Sequence, residues 1–308
     1  MTALPRVSIV IPAWNAAGFI EKTLATVAAQ TFKDFEVVVV DDGSSDATKD
    51  VVDRFLKDNG LRGRCIRQEN KKIAGARNTG IKAAEADLIS FLDHDDLWFP
   101  EKLEAVLGEF DSHPDADLVC HDENILKDGK LVRVSHNGPL VANMYERLLF
   151  DGNALSPSAT TVRKAKLLEA GLFREDPEFN TVEDYDLWMR LARICKMHFL
   201  PSVLGEYQLV ERGASNKIVY HNTNLEHLLR DHFMNFPNPV ARTRARMRRR
   251  LGVMCRSAAR LLLAQGDLNA AGGYARRALA ECPWDWKNAA TAGLWALKRL
   301  AGEAATRN

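Results

Sequence analysis

Between Val7 and Leu92, short apolar runs alternate with segments whose apolar residues recur at helical spacing. Val7-Ser8-Ile9-Val10-Ile11, closed by Pro12, reads as a buried parallel strand, because a strand covered on both faces shows a continuous apolar run instead of alternation. Phe19 to Ala29 follows with helical spacing through Ile20, Leu24, Val27 and Ala28. Phe35 to Val40 is a second buried strand, ending in Asp41-Asp42-Gly43-Ser44-Ser45-Asp46, and Ala47 to Leu56 reads as the next helix. Cys65-Ile66-Arg67 predicts a short strand and Ala74 to Ala84 a helix. Ala86 to Leu92 is a further strand that ends in Asp93-His94-Asp95-Asp96. This βαβαβαβ order predicts an α/β fold: a doubly wound, Rossmann-like, mostly parallel sheet with helices on both faces.

Beyond the acidic tetrad the pattern loosens. Trp98-Phe99-Pro100-Glu101 reads as the start of a helix that continues from Leu103 to Phe110. Ala116 to His121 reads as a strand, and Lys130 to Ser135 as part of a hairpin after the turn Lys127-Asp128-Gly129. Short helices are expected at Met144 to Phe150 and Arg163 to Ala170, around a polar loop from Asp151 to Thr161. A stronger helix spans Val182 to Ile194, with Leu187, Trp188, Leu191 and Ile194 on one face. Leu200 to Tyr207 returns to extended structure before a loop from Glu211 to Lys217. From Leu225 the chain turns helical and alanine-rich. Val253 to Glu281, turning at Gln265-Gly266-Asp267, resembles one tetratricopeptide-like hairpin, a docked α-helical appendage and not a solenoid. The expected division is 1–220, in halves of about 1–125 and 126–220, and a basic helical region, 221–308.

Composition refines this division. The 308 residues, 46% hydrophobic, suffice for one large α/β domain and a smaller appendage. Net charge is only +1, but Lys and Arg number 27 against 35 Asp and Glu through Tyr220, and 15 against 6 beyond it. The halves therefore carry −8 and +9. Arg242, Arg244, Arg246, Arg248, Arg249 and Arg250 crowd into nine residues, too many for one helix face, so several are expected to meet solvent or an anionic membrane surface. Five cysteines without a C-x-x-C pair fit a reducing compartment. No run approaches the roughly 20 apolar residues of a membrane span, and Met1 to Arg6 leads directly into a strand. The expectation is a cytoplasmic protein, at most peripheral on the inner face of the membrane.

The acidic strand ends carry the chemistry. Open α/β sheets bind ligands at the carboxyl edge of their strands. Three carboxylates gathered there repel one another unless a cation or its phosphate-bearing ligand joins them, and a helix cap accounts for only one. His113, His121, His136, His198, His221, His227 and His232 show no metal-ligand spacing and read as structural or surface residues.

Taken in order, these features resemble family-2-type nucleotide-sugar glycosyltransferases of the GT-A fold. Val7 to Asn15 is similar to the family's opening strand and loop, with Trp14 where tyrosine is usual. Glu36 to Ser44 matches its second strand and acidic turn. Asn70 and Gly75-Ala76-Arg77-Asn78 match the segment before the metal motif, Phe91 to Asp96 the D-x-D site, and Glu183-Asp184 the E-D motif. The resemblance covers roughly residues 7 to 215. It implies an inverting, metal-dependent transferase with a UDP-sugar donor and a glycan or lipid-linked acceptor, the first half of the domain holding the donor and the second the acceptor. Asp95 would reach Mn²⁺ or Mg²⁺, with Asp93 contacting the ribose and joining the metal shell through water. Asp41 would accept the imide N–H of the base, with Pro12, Ala13 and Trp14 packing nearby and Asn70 and Arg77 holding the nucleotide. Asp184 would be the general base and Glu183 its acceptor-orienting partner. From the residues alone, an Asx turn at Asp41 and a surface ion pair at Arg77 are the favoured readings, and first-turn carboxylates complementing a helix dipole also fit Glu183-Asp184. Trp98, bordering the tetrad, is a candidate to stack on an acceptor sugar. Trp188 is a weaker acceptor-side candidate on a face that reads as core.

Two departures from the family pattern stand out. Tyr207-Gln208-Leu209-Val210 replaces the frequent Tyr-Arg-x-His, leaving Arg212, Ser215, Asn216 or Lys217 to contact metal or diphosphate from the loop. A Gln-x-x-Arg-Trp motif, carried by processive synthases, is missing, which points to single addition. The alternatives are a nucleotidylyltransferase, which would need a Gly-rich basic loop where Ala13 to Gly18 stands, and a silent transferase-like scaffold, against which the intact Asp41, Asp93, Asp95 and Asp184 argue. Nucleic acid is not an expected partner. Oligomeric state stays open.

Overall fold

A computed structural model describes residues 4–209 and 218–305. Its centre is a nine-stranded sheet of order β3-β2-β1-β4-β8-β6-β9-β5, with β7 added to β6. Strands β1 (Val7–Ala13), β2 (Phe35–Asp41), β3 (Gly63–Arg67) and β4 (Leu88–Phe91) run parallel. Every residue of β1, β2 and β4 is buried, as continuous apolar runs require.

Inward alternation divides those strands between two layers of helices. Ile9, Ile11, Val37 and Val39 pack in one core with α1 (Ile20–Ala28), α2 (Thr48–Asp58) and α4 (Lys102–Ser112). Val38 and Val40 face the other way, against Ala76 of α3 (Lys72–Ala83). Helix α3 lies so close to β1 that a Cβ on Gly80 would come within 2.4 Å of Val10 Cγ1. That approach aims the buried Arg77 at the end of β4.

Antiparallel pairings enter in the second half. β8 (Thr160–Arg163) runs antiparallel between β4 and β6 (Leu118–Lys127), and β7 (Lys130–Ser135) forms a hairpin with β6. β9 (Met197–Leu209) is parallel to β6 and antiparallel to β5 (Leu97–Trp98). Two of these strands depart from the sequence expectations. β5 occupies part of the expected helix start, and β8 begins inside the expected polar loop. β8 escapes the apolar pattern because Thr160 and Thr161 are buried with their hydroxyls bonded, Thr160 to Ser156 O at 2.6 Å and Thr161 to Ser90 Oγ at 2.8 Å. Helices α5 (Met144–Asp151), α6 (Lys164–Glu169) and α7 (Glu183–Leu191) complete this half.

The chain divides into two compact units. One holds the sheet and its helices. The other contains residues 149–152 and 177–182 with α8 (Ile218–Met234), α9 (Ala241–Gln265), α10 (Leu268–Glu281) and α11 (Trp286–Ala305). In the second unit, α9 stops at Gly266 in the left-handed conformation, φ 83°, which glycine adopts without strain. Asp267 then caps α10 by accepting the Ala270 N–H at 2.9 Å. Leu251, Met254, Ala258 and Leu262 of α9, and Ala271, Ala275 and Ala278 of α10, are buried. Among the described residues, no helix is long and apolar enough to cross a membrane.

Candidate active site

β1 and β2 end in register, Ala13 beside Asp41, and the loops beyond them are clasped together by side chains. Asn15 donates its N–H to Ser44 Oγ at 2.9 Å and accepts the Ser45 N–H on Oδ1 at 2.8 Å. Ala16 N–H reaches Thr48 Oγ1 at 2.8 Å and Ala17 N–H reaches Asp46 Oδ2 at 3.1 Å. The polar residues after Asp42 are therefore a clamp, a role that single-sequence reading assigned to none of them. Pro12 and Ala13 are buried, whereas Trp14 is 54% exposed.

Asp41 itself is fully buried. Its Oδ1 accepts the Ser44 N–H at 3.0 Å, while Oδ2 receives no hydrogen bond and has only Arg67 Nη1 at 3.6 Å. A buried carboxylate oxygen without a donor is costly. Gly43, at φ 74°, follows; a Cβ there would stand 3.0 Å from Asn70 N, so glycine lets the β3–α3 loop approach this turn. Asn70 is exposed and Asp42 closes the loop, accepting from Gln68 Nε2 at 2.7 Å and Lys71 N at 2.8 Å.

The acidic tetrad follows β4. Asp96 is buried and its two oxygens are occupied, Oδ2 by Ser158 Oγ–H at 2.6 Å and Oδ1 by Gln208 N–H at 3.0 Å. Ser158 also accepts the Asp93 N–H at 3.0 Å. Asp96 is thus the tetrad's anchor, joining it to the segment before β8 and to the end of β9. Burial, then the neighbouring carboxylates, push its acid well above the usual range. His94 turns away from the carboxylates: Nδ1 lies 2.9 Å from Pro12 O and the ring stacks on Phe19.

Asp93 and Asp95 are half-buried. Asp93 Oδ1 accepts Arg77 Nη2–H at 2.7 Å, and Arg77 Nη1–H reaches Glu183 Oε1 at 2.9 Å, so one buried guanidinium joins the end of β4 to the start of α7. Among the described residues no lysine or arginine pairs with Asp95. Burial, opposed by His94 and reinforced by Asp93, raises its acid. Hard carboxylate oxygens lacking a cationic partner are a suitable donor set for Mg²⁺ or Mn²⁺.

Glu183 is buried with Oε2 unpartnered, and burial, then the Asp184 charge, lift its acid to about 7 against the pull of Arg77. Asp184 is raised as well, by burial above all. Asn78, one residue from Arg77, fixes the approach to α7 by donating to Phe173 O and Glu175 Oε1, both at 2.8 Å, and accepting the Phe173 N–H at 2.9 Å.

The acceptor-side tryptophans need correction. Trp98 is 2% exposed, its indole N–H donates to Ser158 O at 2.8 Å, and Lys102 Nζ covers its ring at 3.7 Å from the centroid. Trp188 is fully buried against Phe91 and Phe173. Both are core, and neither face is free for a sugar. The loop candidates Arg212, Ser215, Asn216 and Lys217 lie outside the described residues.

Comparison with known proteins identifies the family and the fold. Residues 8–169 match the family model described as glycosyl transferase family 2. The amylovoran biosynthesis glycosyltransferase AmsB of Erwinia amylovora is 32% identical over 68% of this chain and 71% of its own. An uncharacterized glycosyltransferase of Rickettsia conorii is 31% identical over 70% of this chain but only 36% of its own, so the chain spans about a third of that relative's length. Among solved structures, S. aureus TarS 1-349 in complex with UDP-GlcNAc superposes with TM-score 0.67 at 22% identity, over 89% of this chain and 81% of that one. The mannosyltransferase PcManGT from Pyrobaculum calidifontis, in complex with GDP-Man and Mn2+, gives 0.61 at 20% identity, over 97% and 88%. The fold is that of GT-A enzymes, with a helical C-terminal appendage.

Proposed function

Because the chain belongs to glycosyl transferase family 2, we propose that it moves one sugar from a UDP-sugar to a hydroxyl of a glycan or lipid-linked acceptor, with inversion at the anomeric carbon. The observation that carries this reading is the Arg77 bridge, which gathers Asp93, the donor-side carboxylate, and Glu183, next to the proposed base, about one buried cation. On this reading the bare Oδ2 of Asp41 accepts the uracil imide N–H, Trp14 shields the base from solvent, and Asn70 contacts the nucleoside from the facing loop.

Asp95, helped by Asp93, would hold Mn²⁺ or Mg²⁺, which supplies charge neutralisation for the departing diphosphate. Asp184 takes the proton of the acceptor hydroxyl as that oxygen attacks the anomeric carbon opposite the diphosphate. Its raised pKa suits this role, since a base works best when its pKa approaches the operating pH. Glu183, held by Arg77, orients the acceptor. One base facing the leaving group implies in-line displacement, hence inversion.

The basic helix α9 supports a peripheral location on the cytoplasmic face of an anionic membrane. Arg242, Arg244, Arg248 and Arg249 are exposed there, although Arg248 also donates to Ala280 O at 2.8 Å.

A thermal-shift panel of nucleotide sugars with Mn²⁺ tests the donor assignment. Stabilisation by UDP-sugars and not by GDP- or CMP-sugars is expected. Since the solved neighbours carry different nucleotides, preferential stabilisation by a GDP-sugar would overturn the uracil reading.

A further inference from the structure

Glu109, His113 and His198 meet in the sheet unit, away from every group used above. Glu109 lies in the last turn of α4, His113 is its C-cap, and His198 is the second residue of β9. Glu109 Oε1 lies 3.0 Å from His113 Nδ1 and 2.8 Å from His198 Nδ1. The two imidazole rings stand 4.6 Å apart. Their potential ligand atoms all lie within 4.8 Å of one another.

We propose that these three side chains form a second metal site, selective for Zn²⁺ or a similar transition metal and separate from the carboxylate site for Mn²⁺ or Mg²⁺. The donor set separates the two: two imidazole nitrogens and one carboxylate suit zinc, whereas the oxygen-only tetrad suits hard cations. Distances agree. Ligands about 2.0–2.1 Å from a tetrahedral zinc lie about 3.3–3.4 Å from each other, so the observed 2.8 and 3.0 Å need open by only a few tenths of an ångström.

The framework that would hold the metal is rigid. Glu109 and His113 are one helical turn apart, on the same face of α4. His198 is fixed by the pairing of β9 with β6, where it stands beside Val119. The main chain entering β9 is tied at Lys196 N–H to Asp117 Oδ2, 2.9 Å, and at Asp117 N–H to Lys196 O, also 2.9 Å. The negative end of the α4 dipole favours a cation at this end of the helix. His113 keeps 48% of its side chain exposed, which leaves a direction open for a water as fourth ligand.

The site would staple α4 to β9 at the edge of the sheet opposite the tetrad. Gln208, which donates to Asp96, is ten residues further along β9 than His198, roughly 30 Å at strand rise. A metal here would tie α4 to β9, whose far end meets the tetrad through Gln208, without touching substrate. Its role is structural.

The test is Zn²⁺ binding to the full chain after chelator stripping, followed by isothermal titration and by the visible spectrum of the Co²⁺ form. Wild-type protein and a variant carrying Asp93→Asn and Asp95→Asn are both expected to bind one Zn²⁺ tightly. His113→Ala with His198→Ala should weaken that equivalent by at least about 100-fold and abolish the tetrahedral Co²⁺ spectrum. Glu109→Gln, which preserves side-chain shape, guards against a folding defect and should weaken binding by about tenfold or more. Zn²⁺ affinity unchanged by both sets of substitutions, or lost in the Asp93/Asp95 variant alone, would overturn the proposal.

Discussion

Arg77 and Asp93 form a 2.7 Å ion pair in which the guanidinium is almost wholly buried and the carboxylate half-buried. Burial by itself disfavours the charged arginine, but Asp93 and Glu183 more than compensate and hold its pKa above the ordinary value. The pair is asymmetric in its consequences: removing the cation strands two carboxylates in a site of low polarity. Arg77→Met should therefore cost about 3–5 kcal/mol of folding stability, as breaking a buried pair does, and abolish transfer. Urea unfolding checks this, and a loss below 1 kcal/mol would mean that the bridge is incidental.

Asp184→Asn should lower kcat by about 10²–10⁴, the usual worth of a positioned base, while UDP affinity stays within a few-fold. Because burial raises the pKa of Asp184 above its ordinary value, the acid limb of the wild-type kcat profile should fall above the ordinary carboxylate range. An active asparagine variant, or product retaining the donor's anomeric configuration, would remove Asp184 from the role.

Glu123 offers a pH test beside the acidic tetrad, whose Asp93 and Asp96 it feels electrostatically. It is buried with Oε2 unpartnered, and burial foremost lifts its acid from 4.5 to about 7. With the folded pKa raised, its contribution to stability is fully present below the unfolded value and is lost as pH rises through about 7. Glu123→Gln should accordingly gain up to about 2–3 kcal/mol on wild type between pH 5 and 8. Glu183 moves in the same direction, so the variant's stability should retain part of the slope. Parallel wild-type and variant curves across this range would contradict the shift at Glu123.

For the basic helix, wild-type protein should sediment with phosphatidylglycerol vesicles at low salt and release as salt rises, each arginine near the surface contributing about 1 kcal/mol. Changing Arg242, Arg244, Arg248 and Arg249 to glutamine should remove most of that binding. Equal sedimentation of the two proteins would exclude a membrane patch on α9.

β1, β2 and β4 were legible because strands buried on both faces leave unbroken apolar runs, as in Val37 to Val40. The acidic strand ends were legible for the converse reason, since carboxylates interrupt those runs. β8 was hidden because Thr160 and Thr161 bury hydroxyls that are satisfied across the sheet, and β5 because its two residues are too few to show a period. Trp98 misled because Lys102, whose charge gives no sign of burial, is fully buried against its ring, donating to Ser90 Oγ. Ser158 and the His113–His198 meeting depend on long-range packing and leave no local signature.

The central claim is that a nucleoside diphosphate and a divalent cation bind together at Asp41, Asp93 and Asp95. Calorimetric titration of UDP with Mn²⁺ present and with EDTA, on wild-type protein and Asp95→Asn, tests it most directly. The account predicts UDP binding that EDTA weakens at least tenfold in wild type, and binding in Asp95→Asn that is weak under both conditions. UDP affinity that is the same with Mn²⁺ and with EDTA, and the same in both proteins, would contradict it.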